Sequence, residues 1–136
     1  MRSRITLYTP RGVALGTLLG SLAAAAVLLW LNYRALNRPA LANKVAAVAF
    51  VLYLLVVVVA SWLPENLLLA AAFIAAQALL AYWAAETLQG DAIRYHLARG
   101  AAAHPLPRTA VVGFLAGLSV VALLIVATTL LGIGRA

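Results

Sequence analysis

The chain has 136 residues, of which 66% are hydrophobic, and its ten basic and three acidic residues give a formal net charge of +7. It has no cysteine, which excludes disulfides, thiol catalysis and cysteine-ligated metal sites. All charges fall outside four apolar stretches at roughly residues 12–33, 45–63, 67–85 and 109–134. Each stretch is long enough to cross the roughly 30 Å hydrocarbon core as a helix. The sequence therefore predicts a polytopic membrane protein, whose basic segments face anionic lipid headgroups and not nucleic acid.

The first apolar stretch follows a short basic tail, and Thr9-Pro10 is typical of an N-cap followed by the first helical residue. A basic tail before an apolar run also resembles a secretory signal peptide. This run exceeds the 7–15 residues of a signal h-region, so we interpret it as an uncleaved first span. Trp30 and Tyr33 near its end suit the membrane–water interface.

Small residues recur at every fourth position of the first span and, more weakly, of the fourth. The positions are Gly12, Gly16, Gly20 and Ala24, then Gly113 and Gly117. This spacing puts small residues on one helix face and lets two backbones approach closely. The pattern favours packing within one bundle, while an interface between copies and a glycine-lined pore stay open as alternatives.

The second and third spans are joined by a tight turn at residues 61–66, which predicts an antiparallel helical hairpin. Gln77 is the one carboxamide predicted deep within a span. It favours an interhelical hydrogen bond, with Tyr53 or Thr17 as candidate partners. The alternative is contact with a solute or ion, together with Thr17 and Ser21. Since no carboxylate is near Gln77 in the sequence, proton coupling is disfavoured.

Two polar connections, residues 34–44 and 86–108, are expected on one side of the membrane. Within the second, residues 91–98 predict a short interfacial helix with breaks at Gly90 and Gly100. Candidate residues for contact with headgroups or a partner are Arg34, Arg38, Lys44, Arg94, His96, Arg99 and Arg108.

Orientation rests on the count of lysine and arginine. Four spans put both termini and the 61–66 turn on one side with four basic residues, against six on the other. The positive-inside rule favours cytoplasmic 34–44 and 87–108 segments with both termini outside. A difference of only two basic residues between the sides also fits dual topology, in which the protein inserts in both orientations.

Nothing in the sequence predicts a catalytic, metal or cofactor site. Asp91, His96 and His104 are close in sequence, but their spacing is not that of a metal site, where three or four ligands converge. A solvated or headgroup-facing segment is the simpler interpretation, and we expect no enzyme activity.

Several short segments carry a resemblance to a known group. They are residues 8–12, residues 32–39, residues 63–65, and residues 88–90 with Ile93, His96 and Gly100. In these the chain resembles a group of small, uncharacterised bacterial four-span membrane proteins. The resemblance implies a shared architecture and no assigned activity. It directs attention to residues 32–39 and 88–100 as a shared surface.

The sequence thus predicts an all-α bundle of four transmembrane helices with short loops. The leading hypothesis is a non-enzymatic membrane protein that acts by association, as a homo-oligomer or an accessory subunit. The second is a small oligomeric channel or transporter with a narrow path lined by Gln77, Thr17 and Ser21. The third is a lipid-modifying enzyme. Nine arginines to one lysine favour a bacterial inner membrane.

Overall fold

A computed structural model describes residues 4–132 of the chain. Within that part lie helices α1 (Pro10–Ala35), α2 (Pro39–Trp62), α3 (Leu67–Ala98) and α4 (Leu106–Leu130), and short strands β1 (Thr6–Leu7) and β2 (Ala102–Ala103). All four helices are long and apolar enough to cross a membrane. The predicted all-α four-helix bundle is confirmed, and the protein is a multi-pass membrane protein.

The helix starts follow from local sequence. The side chain of Thr9 accepts a hydrogen bond from Gly12 N–H at 3.1 Å, as an N-cap does. Proline stands in the first turn of α1, α2 and α4, where its missing N–H is not needed. Asn66 ends the predicted turn and caps α3 by accepting from the N–H groups of Leu68 and Leu69.

Helix α1 is interrupted at Ser21, whose backbone (φ 60°, ψ −168°) is not helical. A straight helix would separate Tyr8 from Asn32 by about 36 Å at 1.5 Å per residue. Instead the N–H of Tyr8 donates to Oδ1 of Asn32 at 2.8 Å. The helix therefore folds back on itself as a hairpin, with a first limb of residues 10–20 and a second limb of residues 22–35.

This hairpin differs from the single crossing expected for residues 12–33. Each limb rises only about 16–21 Å, roughly half to two-thirds of the hydrocarbon core. The interruption falls at the adjacent pair Gly20-Ser21, a combination at which helices kink. It also separates Ala24 from the predicted small-residue face, because Ala24 lies in the second limb.

The α1 hairpin forms the centre of the bundle, and the other three helices surround it. Most of the apolar window of α1 is buried, against small fractions of α2, α3 and α4. Helices α2, α3 and α4 each contact α1 extensively and barely contact one another. Their outer faces are apolar and exposed, as lipid-facing helices require.

Helix α3 continues through Gly90, where the sequence predicted a break. Gly90 is buried, and a Cβ atom there would lie 3.0 Å from the Glu86 carboxyl group. Arg94 pairs with Asp91 one turn before it, as neighbours on a helix surface do, and with Glu86 two turns before it, so that these contacts extend across the glycine. The predicted helix break at Gly100 is confirmed, since α3 ends at Ala98 and Gly100 has a φ of +90°, which glycine adopts readily.

The remaining boundaries differ from the predictions by a few residues. Helix α2 begins at Pro39, so Lys44 lies within its second turn and not in a loop. Helix α4 ends at Leu130, and residues 133–134 of the predicted fourth span lie outside the described residues. The 32 residues of α3 rise about 48 Å, so its last turns extend beyond the hydrocarbon core.

The N-terminal segment lies at the same end of the bundle as both basic connections. Strand β1 pairs in parallel with β2, and the backbone N–H of Ala102 donates to Ile5 O at 3.0 Å. The count of lysines and arginines in the sequence had predicted the N-terminus on the side of the membrane opposite these two connections. The discrepancy arises because the folded-back α1 returns the chain to the side from which it started.

One end of the described chain, the basic end, consequently holds all of its lysines and arginines. They are Arg4, Arg11, Arg34, Arg38, Lys44, Arg94, Arg99 and Arg108. The opposite end, described at the 63–66 turn, carries only the acidic Glu65. Among residues 4–132 the lysines and arginines are therefore distributed asymmetrically between the two ends.

Candidate solute site at the tip of the α1 hairpin

The tip of the hairpin is a backbone break near the middle of the membrane. Ser21 lies in a φ/ψ region that is essentially restricted to glycine, which costs of order 1–3 kcal/mol. The break exposes backbone groups that a continuous helix would pair internally. Two of them find partners nearby: Leu22 N–H donates to Gln77 Oε1 at 3.3 Å, and Ala23 N–H to Ser21 Oγ at 3.4 Å.

Gln77 reaches this tip from the middle of α3. Its side chain is 92% buried (8% exposed). The predicted interhelical hydrogen bond exists, but its partner is the Leu22 backbone and neither Tyr53 nor Thr17. Within residues 4–132 the Nε2 group of Gln77 donates no hydrogen bond, so both N–H donors of the amide are left for other acceptors.

A cavity of about 350 Å³ lies against the tip. Thr17, Ser21 and Gln77 all line it, together with Tyr53 and with apolar residues of α3 and α4. Thr17 donates its hydroxyl proton to Val13 O at 2.8 Å, so its oxygen is free to accept. The three polar residues that the sequence singled out as a possible path are therefore brought together around one space.

The predicted small-residue faces pack against each other within the chain. Gly12, Gly16 and Gly20 of the first limb lie beside Thr109, Gly113 and Gly117 of α4. The partner is always 97 positions later, so the two segments run parallel in register. Within this chain the glycine face is covered by α4.

The root of the hairpin is held by a buried amide cluster of Tyr8, Asn32 and Gln89. Asn32 is 1% exposed; it accepts from Tyr8 N–H and donates to Tyr8 O and to Gln89 Oε1 at 2.8 and 2.9 Å. Gln89 in turn donates to Leu29 O at 3.0 Å. The cluster fixes the two limbs side by side and attaches them to α3.

Sequence reasoning did not identify this cluster. Gln89 was expected in a surface connection, because the third span was predicted to end at residue 85 and residues 86–108 to form a polar connection. A signal existed, since Asn32 and Gln89 both belong to the segments that carry the resemblance. The break at Ser21 also had a signal in the Gly20-Ser21 pair, which the regular four-residue spacing concealed.

The predicted headgroup-facing residues lie at the basic end, but in different settings. Arg94 is engaged by Glu86 and Asp91. Arg34 lies over the Trp30 ring at 5.3 Å, and Arg99 over the Tyr95 ring at 4.3 Å. Arg38 is the exposed residue before α2, while Lys44 lies in the second turn of α2 and Arg108 in the first turn of α4. His96 bonds to Ala92 O of its own helix through Nδ1 at 2.8 Å.

His104 holds the N-terminal segment from the other side. Its ring stacks on Tyr8 with centroids 4.1 Å apart, and its Nδ1 is buried without a hydrogen-bond partner in the described chain. Burial, and to a lesser degree the charge of Arg108, lower the pKa of His104 below its usual 6.5. The His104 ring therefore binds a proton less readily in the folded state than in the unfolded chain. Its contribution to the stability of the fold is fully present above pH 6.5 and is lost on acidification below it.

Among residues 4–132, no group of three or more histidine, aspartate or glutamate residues is arranged to hold a metal ion. Comparison of the chain with protein-family models, with curated proteins and with solved structures gave no match.

Proposed function

We propose that the protein is a membrane carrier for a small uncharged polar solute, which binds at the tip of the α1 hairpin. The observation that carries the proposal is the strained backbone of Ser21 facing a cavity at mid-depth. Irregular backbone at membrane depth is tolerated where it is buried or lines a cavity. Strain of this kind concentrates at functional sites, and broken helices form the binding sites of many transporters.

The polar groups around the cavity define the class of solute. Gln77 Nε2 and the Ser21 hydroxyl supply donors, and the Thr17 oxygen supplies an acceptor. No carboxylate, amine or guanidinium belongs to the lining. An ion would have no countercharge in this low-dielectric setting, so a neutral solute with hydrogen-bonding groups fits best.

The route to the site supports a carrier better than an open pore. Below the tip, α2, α3 and α4 barely contact one another. A further cavity of about 560 Å³ between the end of α2 and the start of α3 shares Ile74 with the tip cavity. Toward the basic end, the packed limbs and the amide cluster block the way, so release there requires the hairpin to move.

Two substitutions at the tip test this proposal, and both are expected to reduce solute passage. Gln77→Leu removes a donor and the partner of Leu22 N–H, so it is expected to abolish solute passage. Ser21→Gly relieves the backbone strain and is expected to stabilise the protein by about 1–3 kcal/mol while removing a binding hydroxyl and slowing passage. Stopped-flow light scattering of proteoliposomes under glycerol and urea gradients measures passage, and denaturant unfolding in detergent measures stability.

Ser119→Ala is the matched control. Its hydroxyl donates to Leu115 O of its own helix at 2.7 Å on an exposed face, so its loss should leave passage unchanged. Wild-type rates equal to those of protein-free liposomes would contradict the proposal. Conduction of potassium or chloride would contradict the uncharged class.

We place the protein in a bacterial inner membrane with the basic end in the cytoplasm. Eight lysines and arginines at one end of residues 4–132, and none at the other, support this orientation. The argument concerns residues within a few turns of the membrane boundary, where the positive-inside rule applies.

A second candidate function, association as a homo-oligomer or accessory subunit, has one observation in its favour. The halves of α2, α3 and α4 below the hairpin tip carry exposed large apolar residues and lack partners within the described chain. The glycine face no longer argues for it, because α4 covers that face. Molecular mass by light scattering in a mild detergent separates a monomer from an assembly.

We infer a non-enzymatic role. The groups that an enzyme would use at the basic end are engaged in pairing or packing contacts: Glu86 and Asp91 with Arg94, His96 with Ala92 O, and His104 with Tyr8.

A further inference from the structure

A second, independent feature is an apolar groove of about 440 Å³ on the side of the hairpin between α2 and α4. Ala23, Val27 and Trp30 of the second limb form its floor, with Phe50 of α2 and Val120 of α4 beside them. Since α2 and α4 barely contact each other, their helices leave this groove uncovered. We call it the α2–α4 groove.

The α2–α4 groove, taken together with Arg34 one turn above it, spans about one lipid leaflet. Its upper level is fixed by the hydrogen bond from Trp30 Nε1 to Asn43 Oδ1 at 3.0 Å. From Ala23 through Trp30 to Arg34 the second limb rises about 16 Å, against roughly 15 Å for half of the hydrocarbon core. These positions are spaced by seven and four residues, so they share one face of the helix.

A cation stands at the upper end of the groove. The guanidinium carbon of Arg34 lies 5.3 Å from the centroid of the Trp30 ring, and Arg34 is exposed. The two acidic residues at the basic end, Glu86 and Asp91, both pair with Arg94. Within the described chain no carboxylate pairs with Arg34, so its charge is available to an external anion.

From this arrangement we propose that the α2–α4 groove binds one acyl chain of an anionic phospholipid, whose phosphate is held by Arg34. The apolar floor matches a hydrocarbon chain, and the cation at headgroup level matches the phosphate. Trp30 lies between the two, where an indole ring with one polar edge is most stable. The site is separate from the solute cavity and does not depend on the proposed transport activity.

The experiment uses the fluorescence of Trp30. Trp62 and Trp83 are 84% and 64% exposed, so both can be replaced by phenylalanine to leave Trp30 as the only indole. The variant with Trp30 as its only tryptophan is reconstituted in phosphatidylcholine vesicles. One series of vesicles contains increasing fractions of brominated phosphatidylglycerol, and the other contains increasing fractions of brominated phosphatidylcholine; both lipids carry the bromine on their acyl chains. We expect brominated phosphatidylglycerol to occupy the site about fivefold more readily, the ratio for about 1 kcal/mol per basic side chain at a lipid surface.

Three variants determine the origin of the preference. Arg34→Gln should remove the preference for phosphatidylglycerol while both lipids still quench. Val27→Phe, at a position 37% exposed, should fill the groove and weaken quenching by both lipids. Arg99→Gln should change nothing, because Arg99 lies over Tyr95 at the end of α3. Equal quenching of the wild-type Trp30 by the two lipids, or an equal loss of preference in Arg34→Gln and Arg99→Gln, would overturn the proposal.

Discussion

Replacement of Gly113 by alanine is expected to destabilise the protein by about 2–3 kcal/mol, because the added methyl group has no room. A Cβ atom on Gly113 would lie 2.6 Å from Cα and 2.7 Å from the carbonyl oxygen of Gly16. Carbon atoms in favourable contact are about 3.5–4.0 Å apart. The neighbour is backbone, so relief requires the first limb to move away from α4 as a whole.

Gly20→Ala should have a comparable effect, since its Cβ would overlap the carbonyl oxygen of Gly113 from the other side. Gly12→Ala is the matched control, because the nearest atom to its Cβ is a threonine side-chain oxygen at 3.3 Å. The higher helix propensity of alanine, about 1 kcal/mol, should offset that contact. Equilibrium unfolding in mixed micelles measures all three. Equal stabilities of the Gly12 and Gly113 variants would contradict the close approach of the first limb to α4.

Replacement of Asn32 by leucine is expected to cost about 3–5 kcal/mol, because it leaves three buried polar groups unpaired at about 1–3 kcal/mol each before relaxation. Those groups are the N–H and the carbonyl oxygen of Tyr8 and the Oε1 atom of Gln89. Leucine branches at Cγ as asparagine does and is the larger of the two, so the loss does not come from a cavity.

The control for this prediction is Asn43→Leu. Asn43 accepts one hydrogen bond, from Trp30 Nε1, at an exposed position, where its loss should cost less than about 1 kcal/mol. Amide hydrogen exchange at Tyr8 gives a second, local measurement, and Asn32→Leu should accelerate it strongly. Unchanged protection of the Tyr8 amide would mean that the amide cluster does not hold the hairpin root.

The parts of the fold that the sequence predicted depend on local hydropathy. Helix α2, the first part of α3 and helix α4 were predicted because long charge-free stretches are specific for the membrane interior. The prediction of a single straight first span was wrong, because contacts between distant parts of the chain determine the path of α1. The break at Ser21 is supported by Gln77 from a different helix, and the returning limb by Tyr8 and Asn32, which are 24 residues apart.

The residues of the candidate site were predicted from the sequence, but their arrangement was not. Thr17, Ser21 and Gln77 were singled out because polar groups are rare within apolar spans, and that reasoning needs no three-dimensional information. That a strained turn exposes them to a cavity is a consequence of the hairpin. The charge asymmetry followed equally from the hairpin, since reversing one segment moved the N-terminal arginines to the side of the other cations.

Helix α1 folds back at Ser21, and the distance between its two ends tests this fold most directly. The chain has no cysteine, so nitroxide labels can be attached at Arg11→Cys and Arg34→Cys alone, and both positions are exposed. Double electron–electron resonance in nanodiscs should give a distance below about 20 Å, since packed helix axes are about 8–10 Å apart and the labels add the rest. A continuous helix would place the two positions about 35 Å apart, and that result would contradict the hairpin.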